Sequence, residues 1–210
     1  MSERKPRRMS REARRDDLIV AALELFSTRA PDDVSVEDVT ARADVSRALF
    51  YRYFASVREL QVAALRSVVD GLLARLAQRE EGSPYERLRA AVRALADVAA
   101  EHRAGYVALV RSGSAVATSE TNAIVDEVRD GAVAVILADT GVERPSPMLL
   151  TTLRCWTVVV EGTLLTWLQE GGLEREHLDE WLVDQLVAMV GVTEHHERDT
   201  TMSSALRPPG

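Results

Sequence analysis

Apolar residues recur along this chain at intervals of three and four, the period of helices buried on one side. Over 16–29 the stripe is Leu18, Ile19, Ala22, Leu23, Leu25 and Phe26. Over 56–79 it is Leu60, Ala64, Val68, Leu72 and Leu76, and after Ser83-Pro84 it resumes as Leu88, Val92, Leu95 and Ala99. A shorter helix is predicted over 104–111, and a longer one over 122–138 with Ile124, Val128, Val135 and Ile136 inward. In 148–170, Leu149, Leu150, Leu153, Trp156, Val160, Leu164, Trp167 and Leu168 occupy more than one face, so this helix must be covered from several sides. The last helix, over 173–192, carries Leu178, Trp181, Leu182, Leu186, Val187, Met189 and Val190. Breaks fall at 30–33, 80–83, 113–119, 141–147 and Gly171-Gly172. Ser83-Pro84 and Ser146-Pro147 each pair a capping hydroxyl with a first-turn proline. The fold class that follows is all-α.

The stretch 34–60 departs from simple stripes. Val36, Val39, Ala43 and Val45 give a small apolar face, Ser35 caps one short helix with Asp38 three residues on, and Ser46 caps a second. Arg47, Leu49, Phe50, Tyr51, Arg52, Tyr53 and Phe54 then follow almost without interruption, and no single helix can bury them all. Helical spacing puts Ser46, Phe50 and Phe54 near one face and Arg47, Tyr51 and Arg58 near another. The phenylalanines are the core anchors. The hydroxyls of Tyr51 and Tyr53 suit phosphate oxygens, Arg47 and Arg52 suit phosphates or a guanine edge, and free N–H groups at Ser46 favour an anion. A solvated helix hairpin would leave paired tyrosines beside arginines without a purpose.

These residues resemble the helix-turn-helix of the TetR family of transcriptional regulators. Its Ala-Gly-Val-Ser turn and hydrophobe-Tyr-x-Tyr/His-Phe run are matched by Ala43-Asp44-Val45-Ser46 and Phe50-Tyr51-Arg52-Tyr53-Phe54, and its Ser-Lys-Glu-x-Leu by Ser56-Val57-Arg58-Glu59-Leu60. Asp44 stands where the family has a turn glycine, Ala48 where glycine is common, and Val57 where it has a phosphate-binding lysine. Asp tolerates the left-handed backbone of such a turn but adds a negative charge there. Arg58, one residue on, takes the lysine's role. The resemblance implies a three-helix DNA-binding domain over 12–58, behind a basic disordered arm at 1–11. A helical ligand-binding and dimerisation domain over 59–192 and a disordered tail at 193–210 complete the chain. Arg47, Ala48 and Leu49 are placed near base edges, with Ser35, Ser46, Tyr51, Tyr53 and Arg58 on phosphates and Arg52 on either.

Net charge of −7 looks wrong for a DNA binder until it is divided. Residues 1–60 hold 12 basic against 11 acidic side chains, and the remaining 14 basic face 22 acidic, so the acidity lies away from the helix-turn-helix. Cys155 is the one cysteine, which removes disulfides and fits a reducing cytoplasm. Its apolar surroundings predict an inert core thiol. No signal-like apolar run follows the basic start, and no uninterrupted apolar stretch approaches a membrane span.

Catalysis and metals find no support. His102, His177, His195 and His196 form no nucleophile–base or zinc pattern, adjacent histidines rarely make a fixed site, and there is no glycine-rich phosphate loop. No cofactor is expected and the chain is not read as an enzyme. The family resemblance instead implies a homodimer through the last two helices and an effector pocket within about 83–171. Tyr106, Thr152, Trp156, Val159, Thr163 and Trp167 mix bulk with a few hydroxyls, as a largely apolar ligand requires, although ordinary core packing accounts for each of them too. The expected function is a ligand-responsive regulator, a repressor released from near-palindromic operator DNA. The alternative is a helical small-molecule-binding protein with weak or lost operator binding.

Overall fold

The computed structural model describes residues 10–77, 81–111, 119–197 and 202–206. Among them the chain forms nine α-helices and one 3-10 turn, with no strand. The helices are α1 (Arg11–Phe26), α2 (Val36–Arg42), α3 (Arg47–Tyr53), α4 (Val57–Ala77), α5 (Pro84–Glu101), α6 (Arg103–Val110), α7 (Ser119–Thr140), α8 (Pro147–Glu170) and α9 (Arg175–His196), and the 3-10 turn at Pro31–Asp33 lies between α1 and α2.

Helices α2 and α3 are only seven residues each, too short to persist alone. Their ends are therefore closed by side chains. Ser35 accepts from the Asp38 amide while the Asp38 carboxylate accepts from the Ser35 amide, and Ser46 accepts from the Leu49 amide. Between them Asp44 takes the left-handed backbone at φ 51°, with its N–H donating to Ala41 and that of Val45 to Thr40. Phe50 and Phe54 are buried with Leu18, Ile19, Phe26, Val39 and Leu60, so α3 is anchored on one side only. Burying each phenylalanine is worth roughly 1.5–3 kcal/mol, enough to offset the poor intrinsic stability of so short a helix.

Helix α4 begins in that core through Leu60 and Ala64 and runs on to pack against α5 and α7. Arg66 pairs with Glu127 of α7 at 2.5 Å. Helix α6 returns to touch α1, where a β-carbon on Gly105 would meet the Phe26 β-carbon at 3.7 Å. The larger core lies among α5, α7, α8 and α9, built on Leu88, Val92, Leu153, Trp156, Leu182 and Leu186. Polar ties cross it. Asp179, 1 % exposed, accepts from Arg93 at 2.7 Å and Arg89 at 3.2 Å, which holds its carboxyl below the usual range despite burial. Tyr85 donates to Asp184 at 3.0 Å, and burial followed by that carboxylate pushes its phenol up to about 12.

Four sequence expectations change. Helix α1 starts at Arg11 rather than 16, because Ser10 caps it by accepting from the Ala13 amide. Helix α9 runs to His196, and Met202 and Leu206 are fully buried, so the expected disordered tail from 193 is partly structured. The Glu194 carboxylate accepts from the amides of Met202 and Ser203 and draws that turn onto the core. Cys155 is exposed, not buried, because it falls on the outer side of α8 opposite Leu153 and Trp156. Helix α8 is also long and apolar enough, by length and composition, to cross a membrane, although Leu149, Leu153, Leu164 and Leu168 on it are buried among its neighbours. Of the expected disordered arm at 1–11, Ser10 and Arg11 instead form the cap and first residue of α1 and residues 1–9 lie outside the described residues, as do 113–118 of the expected loop at 113–119.

Candidate nucleic-acid interface

Because Phe50 and Phe54 fix α3 from one side, the rest of its surface is turned out. Ser46, Arg47, Ala48, Tyr51 and Arg52 are all exposed, Tyr51 to 50 %. Leu49 is half-buried, and Tyr53 is half-buried against the first core. Arg58 is exposed on the first turn of α4, where Ser56 accepts from the Glu59 amide and the Glu59 carboxylate accepts from the Ala55 amide. The result is an exposed set of three guanidiniums, on Arg47, Arg52 and Arg58, with phenol hydroxyls and a capped helix start, the donor set that phosphate oxygens and base edges accept from.

Hydrogen bonds within the face sort these residues further. Ser46 accepts from the Leu49 amide at 3.2 Å, which leaves its O–H proton to donate outward. Ser35 differs from expectation. Its hydroxyl donates to Asp38 at 2.6 Å and accepts from the Asp38 amide at 3.2 Å, so it is committed to the cap and has no proton to offer a phosphate. Asp38 also accepts from Arg29 at 3.0 Å, and this bond, with those from Ser35, holds its carboxyl well below the usual carboxylate range. Arg47 pairs with the Glu37 carboxylate of α2, and the nearby Tyr51 hydroxyl together with that carboxylate holds its guanidinium above its ordinary value.

Sequence reasoning missed one member of this face. Glu37 reaches Arg47 across the turn, ten residues away. Helical spacing within one element cannot find this contact, since it depends on the angle between two elements.

The six residues proposed for an effector pocket are engaged in different contacts. Trp156 is buried and donates to the Leu182 carbonyl at 2.8 Å, and Thr152 shares a 2.6 Å hydrogen bond with Thr193, so both are spent on α9. Val159 is 37 % exposed, Thr163 is half-buried, and Trp167 lies under the Arg175 guanidinium at 5.8 Å. Tyr106 reaches α8 on its other side. It donates to the Glu161 carbonyl at 3.3 Å, burial raises its phenol pKa strongly, and the Glu161 carboxylate there takes both arms of Arg129 at 2.8 and 2.6 Å. A separate cleft of about 600 Å³ lies between α1, α4 and α5, lined by Val20, Leu23, Val68, Gly71, Val98 and His102 among others, and none of the six lines it. Among the described residues there is no group of three His, Cys, Asp or Glu side chains placed to hold a metal.

Comparison with known proteins bears on both halves. Residues 18–64 match the family model described as bacterial regulatory proteins, tetR family, and residues 84–189 match the tetracyclin repressor-like C-terminal domain. A solved tetR-family transcriptional regulator from Streptomyces coelicolor is 36 % identical, covers 95 % of this chain and 89 % of its own, and superposes with a TM-score of 0.86. The HTH-type transcriptional activator FasR of Mycolicibacterium smegmatis is 36 % identical over 105 residues, 49 % of this chain and 48 % of that protein. The HTH-type transcriptional regulator TcmR of Streptomyces glaucescens is 33 % identical over 82 residues, 39 % of this chain and 36 % of that protein. The chain thus spans about half the length, or less, of these curated relatives.

Proposed function

The chain belongs to the TetR family of bacterial transcriptional regulators, and we propose that it is a ligand-responsive repressor that binds near-palindromic operator DNA as a homodimer in the cytoplasm. The observation that carries this is the exposed cationic and phenolic face of α3, held in place by two fully buried phenylalanines, Phe50 on the helix and Phe54 at its C-cap. Its proposed division of labour is Arg47 and Ala48 at base edges, with half-buried Leu49 at their margin. Ser46, Tyr51, Tyr53 and Arg58 hold phosphates, and Arg52 serves either. Ser35 contributes position only.

Domain limits are proposed at 12–58 for the reading head and 59–192 for the ligand-binding and dimerisation part. Dimerisation is supported by the outer faces of α8 and α9, where Val158, Val159, Trp181 and Val192 are exposed large hydrophobics. At helical spacing Cys155, Val158, Val159 and Gly162 share one side of α8, and Trp181, Ala188 and Val192 one side of α9, so two copies would form a four-helix contact. The effector is proposed to be small and largely apolar, bound where Tyr106 of α6 meets α8. Its binding shifts the spacing of the two reading heads through α4.

Fluorescence anisotropy against DNA fragments flanking the protein's own gene, at low and near-physiological salt, tests this. Tight binding to one fragment that salt weakens steeply is the expected result. Weak, salt-insensitive binding in that assay and in a genome-wide fragment selection would overturn it, and would favour a small-molecule-binding protein without operator binding.

A further inference from the structure

Among the exposed side chains around the start of α3, two have the wrong sign for contact with DNA: Asp44, which holds the left-handed turn, and Glu37. Glu37, on the first turn of α2, is 58 % exposed and points its carboxylate at Arg47, itself 59 % exposed. An acid on a surface meant for phosphates lowers affinity for every sequence. Its companion acids nearby are otherwise employed, since Asp38 closes the α2 cap with Ser35 and Arg29, and Glu59 closes the start of α4 through the Ala55 amide. Glu37 closes no cap. Its partner is the one side chain on α3 best placed to read a base.

We propose that Glu37 is a specificity-determining residue that holds the Arg47 guanidinium in the orientation needed to read a guanine edge. The inference rests on the reading of Arg47 as a base-contacting residue. An arginine side chain has four rotatable bonds before its planar fork, and a free one samples phosphates as readily as bases. Fixing one terminal nitrogen on Glu37 restricts the rotation of the fork and leaves four of its five N–H donors for a base edge. The pair is weak in water because both ends are solvated. At a DNA surface water is expelled, the local dielectric falls, and the same pair strengthens when orientation matters. Glu37 also repels phosphates, so an Arg47 that swung toward the backbone would leave an unpaired carboxylate against the duplex. Correct base pairing is thereby favoured twice, once by orientation and once by penalising the alternative.

The test uses the full chain and a pool of duplexes randomised over about 30 base pairs, since an operator half-site pair spans roughly two helical turns. Wild type, Glu37→Gln, Glu37→Ala, Arg47→Ala and the Glu37→Ala/Arg47→Ala double variant are each selected against the pool. Each is then titrated on the preferred duplex and on one altered at the position that Arg47→Ala relaxes. Thermal melting confirms that each variant folds. Glu37→Ala and Glu37→Gln should bind random duplex more tightly, yet lose about three- to tenfold of the discrimination at that position, part of what a bidentate arginine contributes. In the Arg47→Ala background Glu37→Ala should change discrimination no further, because it acts through Arg47. If Glu37→Ala raises affinity for all duplexes equally and leaves the selected profile unchanged, Glu37 is only a repulsive charge and the proposal fails. If Arg47→Ala itself leaves the profile unchanged, the base-reading role of Arg47 fails, and the proposal built on it falls with it.

Discussion

Asp44 shows at the scale of one residue how a departure from a motif can be tolerated locally and still matter globally. Its backbone is left-handed at φ 51°, where glycine is easiest, yet the turn closes through hydrogen bonds that the Asp44 and Val45 amides donate to carbonyls of α2. Replacing Asp44 by Gly should change stability by less than about 1 kcal/mol, as relief of backbone strain opposes the added entropy of the unfolded chain. It should tighten DNA binding at low salt, with a smaller gain near physiological salt where the charge is screened. Equal affinity of both proteins at low salt would mean that Asp44 lies away from the duplex. Asp38 makes the complementary point about charge. Arg29 and Ser35 hold its carboxyl far below the ordinary 3.8, so it contributes stability above that pH and loses it only as pH falls through the lower folded value. Asp38→Asn should therefore be less stable than wild type near neutrality, and their denaturation midpoints should converge as the pH falls toward about 2. A constant gap across that range would mean that shape, not charge, sets the effect of Asp38.

At the scale of elements, what sequence could and could not foresee follows from how local the cause is. The caps at Ser35, Ser46, Ser83 and Ser146 were legible because each is a side chain bonding an amide three residues on. The burial of Phe50 and Phe54 was legible too, although Phe54 reaches the core from the extended C-cap of α3 rather than from a helical turn. Cys155 was misjudged because α8 is apolar on several faces, and periodicity cannot say which of them a neighbour leaves open. The turn at 202–206 was missed because its burial depends on one distant carboxylate, Glu194. Glu37 was overlooked because its role exists only once α2 and α3 are set at an angle. Helix α4, which spans both halves, offers a direct test of its own rigidity. A β-carbon at Gly71 would meet no atom within 4 Å. Gly71→Ala should thus raise stability by about 0.5–1 kcal/mol, the ordinary helix-interior difference. A loss measured by chemical denaturation would show that α4 needs the glycine for a bend.

On the proposed reading, the whole molecule has to join two weak reading heads into one selective binder. A single α3 of seven residues would make few base contacts, and two copies set about 34–36 Å apart would engage both halves of a palindrome as one event. The outer sides of α8 and α9 are where that coupling would be made. Val158 and Trp181 are 56 % and 47 % exposed there, on a chain whose acidic excess argues against chance self-association. In a two-fold contact each substituted residue appears twice, so Val158→Glu or Trp181→Glu adds a pair of like charges to an apolar patch. Both variants should melt near the wild-type monomer, because neither side chain is buried within the chain. In analytical ultracentrifugation both should sediment as monomers at concentrations where wild type is dimeric. Affinity for a full palindrome should fall toward that for an isolated half-site, by roughly 100-fold or more, while half-site affinity itself stays the same. A variant that remained dimeric and kept its palindrome affinity would move the interface off α8 and α9. One that lost half-site affinity as well would show that this surface supports the reading head's fold rather than the pairing of two heads.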